Sequence, residues 1–163
     1  MRYVFFGTPR NAARLLEQLI KAGYPPVALV CNPDRPAGRK HILTPPATKQ
    51  CVANSKEQIA VFQPENVSTI RSKLLALSPD IFIVLAYGSI IPEEIAQIPK
   101  YGTIGVHPSL LPKYRGPSPI QSALLAGESE TGVTLYLLDE QMDHGPILAN
   151  GKWQITNNTG NIV

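Results

Sequence analysis

The sequence predicts an α/β fold: a doubly wound, mostly parallel sheet. Three observations carry this. Short apolar β-prone runs alternate with helix-spaced stretches from the N-terminus onward. The opening reads strand, helix, strand, the βαβ unit that makes parallel, right-handed connections. Ile81-Phe82-Ile83-Val84-Leu85-Ala86 is apolar without interruption, the mark of a central strand covered on both faces.

Tyr3-Val4-Phe5-Phe6 forms the first strand and ends at Gly7. Pro9 suits the first turn of a helix, with Thr8 as its N-cap. Ala12, Leu15, Leu16, Leu19 and Ile20 recur at helical spacing, and Gly23 stops that helix. Val27-Ala28-Leu29-Val30 is the second strand. Residues 32–49 break the alternation with a long loop rich in proline, glycine and positive charge, and Pro45-Pro46 opens the next helix. Ala60-Val61-Phe62 is the third strand. Residues 66–76 read as helix, Ile81 to Ala86 as strand, Thr103-Ile104-Gly105-Val106 as strand and residues 119–126 as a short helix. Val133 to Leu138 is a further strand, and a hairpin-like segment runs from Ile147 to Ile155 around Gly151.

The 163 residues allow one full-sized core. A composition of 44% hydrophobic and 17% charged residues fits a folded protein. No apolar run approaches the roughly 20 residues of a membrane span, and the N-terminus has neither signal-peptide nor presequence character. A cytoplasmic protein without membrane partners is expected. Cys31 and Cys51 match no zinc or redox spacing and read as free thiols in a reducing compartment. The net charge of +3 is too mild to indicate nucleic acid. Its distribution says more, because Arg35, Arg39, Lys40, His41 and Lys49 fall in one stretch. The first strand–helix turn holds a single glycine, Gly7, where a pyrophosphate-binding turn needs several.

Chemistry concentrates at strand ends, where open α/β sheets bind ligands. His107 follows an apolar strand directly, beside Ser109 and a proline-locked turn, and Asp143 follows the next strong strand. A carboxylate on one imidazole nitrogen fixes the tautomer and stabilises the imidazolium, so such a pair can move protons during acyl transfer. A Ser-His-Asp hydrolase is disfavoured, since one residue separates His107 from Ser109 and the G-x-S-x-G elbow is missing. His107, Asp143 and His144 lack metal-ligand spacing, so no metal is expected; His144 reads as a rim residue.

Several pieces together resemble a known family: Phe6-Gly7-Thr8-Pro9, Pro33-Asp34-Arg35-Pro36-Ala37-Gly38-Arg39, Phe62-Gln63-Pro64, Ala86-Tyr87-Gly88 and His107 through Gly116. Pro119-Ile120-Gln121, Glu130 through Thr134 and Asp143-His144-Gly145 continue the match. The chain resembles the N-terminal catalytic domain of the methionyl-tRNA formyltransferases over essentially its whole length. The resemblance implies a Rossmann-like formyltransferase fold, with 10-formyltetrahydrofolate as formyl donor and methionyl-initiator-tRNA as acceptor. It implies that His107 stabilises the oxyanion and helps move protons while Asp143 orients it. It places Ser109, Leu110, Leu111 and Pro112 along the folate. It assigns the pterin to the stretch from Tyr87 and Gly88 through Ile90 and Ile91, and to the turn that holds Asp139, Gln141 and Asp143. It assigns the acceptor-end phosphates to Arg39 foremost, with Arg35, Lys40 and Lys49 in support. A monomer is expected.

Two departures qualify the resemblance. The family carries an asparagine two residues before the histidine, whose amide donates to the oxyanion; this chain has Gly105. Losing one such donor costs about 10²–10³ in rate. A water in the vacated space would recover part of that. Gly105→Asn is the test: a rise in transfer of about 10² or more marks a crippled site, and no change marks an architecture not poised for the reaction. The family domain also continues through further helices to a β-rich tRNA-binding domain. Residues 1–163 are therefore expected to be one catalytic domain cut short at its C-terminal end, with Asn157-Asn158-Thr159-Gly160 as the approach to a further helix. Two alternatives stand beside the tRNA reading: transfer to a small amine such as a nucleotide-linked amino sugar, and a folate-binding protein without catalysis.

Overall fold

The computed structural model describes residues 1–156; the predicted approach at 157–160 lies outside them. The chain divides into two compact units, Met1–Ile104 and Gly105 onward.

In the first unit, β1 (Tyr3–Phe6), α1 (Arg10–Lys21) and β2 (Ala28–Val30) form the predicted opening. β1 pairs parallel with β2, Val4 opposite Ala28 and Phe6 opposite Val30. The predicted basic loop contains a small antiparallel hairpin, β3 (Arg35–Ala37) with β4 (Ile42–Thr44). Its positive-φ residues Gly38 and His41 make the turn. α2 (Ala47–Ala53) follows Pro46 as expected. β5 (Ala60–Phe62) joins β2 in parallel. A 3-10 turn over Val67–Ile70 leads into α3 (Arg71–Ala76), and β6 (Ile81–Val84) pairs parallel with β1. A short α4 (Glu93–Ala96), which the sequence reading missed, follows.

Alternation along β1 shows why the sheet is wound on both faces. Val4 and Phe6 belong to one core cluster with Ala28, Val30, Phe82, Val67, Leu74 and Ile95. Phe5 points the other way, toward the α1 face that buries Ala12 and Leu16. The Phe6 ring lies 4.9 Å from that of Phe82, tilted by 51°, and meets Tyr87 edge-on at 5.4 Å. Gly7 is required sterically: a β-carbon there would stand 2.8 Å from the Ala12 Cβ, the Leu85 carbonyl and the Phe5 ring.

Thr8 does not cap α1. Pro9 holds the N-cap position without a side-chain bond. The Thr8 hydroxyl donates instead to the Tyr87 carbonyl at 2.8 Å and accepts from the Asn32 amide at 3.3 Å. It ties three strand ends together, a use that local sequence does not reveal. The strand predicted to reach Ala86 stops at Val84, and Ala86 turns with φ +49°.

β7 (Thr103–His107) leads into the second unit, which holds α5 (Pro119–Leu125), β8 (Glu130–Leu137) and β9 (Ile147–Gln154). β8 starts three residues earlier than predicted. The hairpin expected around Gly151 is not there. β9 is one continuous strand, antiparallel to β8, with Gly151 opposite Val133 in mid-ladder. A glycine inside a strand reads locally as a turn, and only cross-strand pairing distinguishes the two.

Candidate active site

β7 alternates, so Thr103, Gly105 and His107 share its buried face. A side chain at 105 would therefore stand beside the imidazole. His107 is 6% exposed. Its Nε2 lies 2.8 Å from the Tyr114 carbonyl oxygen. That oxygen can only accept, so Nε2 carries the hydrogen. Nδ1 lies 3.5 Å from an Asp143 oxygen, Oδ2. The two predicted partners, 36 positions apart, thus meet. Their gap is longer than a good hydrogen bond, a looseness common where substrate completes the geometry. With Nε2 protonated, a second proton arrives at Nδ1, the nitrogen that faces the carboxylate.

Asp143 is held firmly. Oδ2 accepts from the Gly116 amide at 2.8 Å and Oδ1 from the Tyr136 hydroxyl at 2.6 Å. Both residues that face the imidazole sit in left-handed backbone: Tyr114 at φ +57° and Asp143 at φ +49°. Such conformations cost about 1–2 kcal/mol each for an L-residue and gather where a side chain or carbonyl must be aimed.

The turn after β7 uses its own polar groups. Ser109 is fully buried, and its Oγ donates to the Lys113 carbonyl at 2.6 Å. Thr134, also fully buried, donates to the Ser109 carbonyl at 2.7 Å and accepts from the Leu111 amide at 3.1 Å. Ser109 therefore braces the turn, and its hydroxyl is already engaged. Leu111 is buried beside a cis Pro112. Leu110 and Pro112 line a hollow of about 320 Å³ with Tyr114, Glu128 and Thr131. His107 is not among its lining residues. A larger hollow of about 580 Å³ in the first unit runs between α1 and α2, past Arg10, Arg14 and Cys51. It contains none of the predicted site residues.

At the turn after β8, Asp139 accepts from the Gln141 amide at 2.9 Å and from His144 Nδ1 at 2.7 Å. The His144 bond, then the Gln141 amide, hold the Asp139 carboxyl below its ordinary range. Tyr87, Gly88, Ile90 and Ile91 lie in the first unit. Tyr87 is buried, which pushes its phenol up to about 12; Gly88 has φ +85°; Ile90 is exposed.

The basic residues divide. Lys49 meets both carboxylate oxygens of Asp34 at 2.9 Å. The Gln63 amide and this lysine lower the Asp34 carboxyl. Arg35 pairs with Glu65 at 3.1 Å. Arg39 and Lys40 stand exposed at the hairpin turn. Both Arg35 and Lys49 thus carry a carboxylate partner, a feature their sequence neighbourhood does not disclose.

The β-carbon position of residue 105 is occupied by a neighbouring side chain. A β-carbon there would stand 2.7 Å from the Tyr136 hydroxyl and closer still to ring atoms Cε1 and Cζ. The Tyr136 ring takes the place of a β-carbon at position 105, and the sequence reading missed it. Its place among the apolar residues of β8 made it look like core. Burial first, then the Asp143 hydrogen bond, raise its phenol well above the ordinary value.

The mostly parallel α/β sheet defines a Rossmann-like fold, with an imidazole and a carboxylate facing each other at a strand end. Residues 1–161 match the family model described as formyl transferase, and the chain belongs to that family. Among curated proteins it is 48% identical to the methionyl-tRNA formyltransferase of Chloroflexus aurantiacus, over 91% of this chain and 48% of that protein. It is 44% identical to that of Enterococcus faecalis, over 95% of this chain and 50% of that protein. The chain thus spans about half the length of the curated relatives it matches. Among solved structures, glycinamide ribonucleotide transformylase 1 from Geobacillus kaustophilus superposes with a TM-score of 0.75 at 27% identity, covering 98% of this chain and 85% of that one. Phosphoribosylglycinamide formyltransferase from Bacillus halodurans shares the fold, with a TM-score of 0.74 at 21% identity over 98% and 83% of the two chains. No helix among the described residues is long and apolar enough to cross a membrane.

Proposed function

We propose that this chain is the formyl-transferring part of an enzyme that moves a formyl group from 10-formyltetrahydrofolate to the amine of methionyl-initiator-tRNA. The observation that carries the reading is the 48% identity to a methionyl-tRNA formyltransferase across nearly the whole chain. The solved formyltransferases of similar fold lie at lower identity.

In the reaction, the amine nitrogen bonds to the formyl carbon, the bond from that carbon to the folate nitrogen breaks, and one proton passes from the amine to the leaving nitrogen. His107 handles that proton at Nδ1, and Asp143 meets the charge that forms there. Burial of the imidazole strengthens this electrostatic support. Leu110 and Pro112 offer apolar surface to the folate in the hollow they line. The backbone of the turn from Asp139 to Asp143 serves the pterin. No metal takes part. Arg39 and Lys40 serve the tRNA phosphates. Lys49 and Arg35 contribute less, because each already has a carboxylate partner. The protein works in the cytoplasm, as a monomer, away from membranes.

The test is formyl transfer by the intact protein with methionyl-initiator-tRNA and, in parallel, with an amino sugar nucleotide. Arg39→Ala with Lys40→Ala should weaken tRNA binding uniformly and reduce its salt slope by about 2. Formylation of the tRNA unaffected by these changes would remove the tRNA assignment. Turnover of the amino sugar alone would transfer the site to a small amine.

A further inference from the structure

Asp143 needs an anchor that sequence motifs do not provide, and the structure supplies one from β8. Gly105 and His107 lie two residues apart on one buried strand face. With no side chain at 105, the Tyr136 ring lies directly against the strand there. Its hydroxyl reaches past that point to Asp143 Oδ1 at 2.6 Å. We propose that Tyr136 is a positioning residue for the His107–Asp143 pair, seated by the bare backbone at Gly105. This rests on the reading of that pair as the proton-handling groups.

The accounting at the carboxylate supports it. Oδ1 is taken by Tyr136 and Oδ2 by the Gly116 amide. These two donors, from two different segments, fix both the position and the rotation of the carboxyl group. Its Oδ2 edge is left toward the imidazole at 3.5 Å. Without the hydroxyl, one donor remains and the group can swing about it. A phenol has a single proton, and Tyr136 gives it to Asp143. Tyr136 therefore does not replace an amide donor to the oxyanion. It stabilises the opposite end of the site, the carboxylate that faces the imidazole. Burial keeps the phenol neutral and hence a donor. Gly105 and Tyr136 form a matched pair: a side chain at the first position and the ring at the second cannot share the space.

Tyr136→Phe separates positioning from filling, because it keeps the ring and removes the hydroxyl. In the intact protein, kcat for formyl transfer should fall about tenfold, the loss expected for a hydrogen bond to a charged group. The KM values for formyl donor and tRNA should stay unchanged. The ¹⁵N resonances of the His107 ring, identified against His107→Gln, should shift at fixed pH. Unchanged kcat in an active enzyme overturns the proposal. Should the wild type transfer no formyl group, the formyl-transfer reading fails on that ground, and the ring resonances decide the tether: unmoved, they overturn it; shifted, they support it. Tyr136→Met, apolar and similarly long, gives the same readouts if the Phe variant does not fold.

Discussion

Placing asparagine at position 105 is the test that sequence reasoning recommends, and the structure attaches a steric cost to it. In Gly105→Asn the new β-carbon would lie 2.7 Å from the Tyr136 hydroxyl and nearer to its ring. Carbon contacts settle at about 3.5–4.0 Å, so the ring must retreat by about 1 Å. It has little room, being 7% exposed. Overpacking of this kind costs about 1–3 kcal/mol. Retreat also stretches the 2.6 Å bond to Asp143, and a hydrogen bond to a charged group is worth about 1.5–3 kcal/mol. A loss of about 3 kcal/mol follows, which lowers the melting temperature by about 6–12 °C at this size. Tyr136→Ala alone opens a cavity and costs about 3–5 kcal/mol. In the double variant the asparagine occupies the emptied space, so its loss should fall short of the sum by about 1–3 kcal/mol. Thermal or urea unfolding of the four proteins gives the cycle. Strict additivity, or Gly105→Asn with an unchanged midpoint, would refute the claim that the two residues compete for one volume.

Thr134→Val keeps the shape but orphans the buried Ser109 carbonyl and Leu111 amide; at about 1–3 kcal/mol for each group, urea unfolding should show a loss of about 2–6 kcal/mol, with faster amide exchange at Leu111. The Cys31 thiol is pushed by burial from 9.0 to about 11. Between those values the unfolded chain has shed this proton while the folded protein holds it, so stability falls as pH rises through that window. Cys31→Ala should flatten the decline, measured as the unfolding midpoint from pH 8 to about 11. In the native protein a thiol reagent should label the partly exposed Cys51 and leave the buried Cys31 untouched until unfolding.

Much of this architecture was legible in periodicity. β1, α1, β2 and β5 stand where apolar runs and helical spacing put them, because one strand face or helix stripe must be buried locally. Errors fell where distant partners decide. Thr8 looks like a helix cap until its hydroxyl is seen bridging Tyr87 and Asn32. Gly151 looks like a turn until β8 pairs across it.

By itself the sequence determined the α/β alternation, the strand-end histidine, the carboxylate after β8 and the family's motifs in order. Those features are set by local side-chain chemistry and by spacing along the chain. Only the tertiary structure decided what stands beside Gly105, because the occupant, Tyr136, arrives from a strand 31 positions away. A glycine in a sequence records a missing side chain; which group fills the space depends on packing between strands.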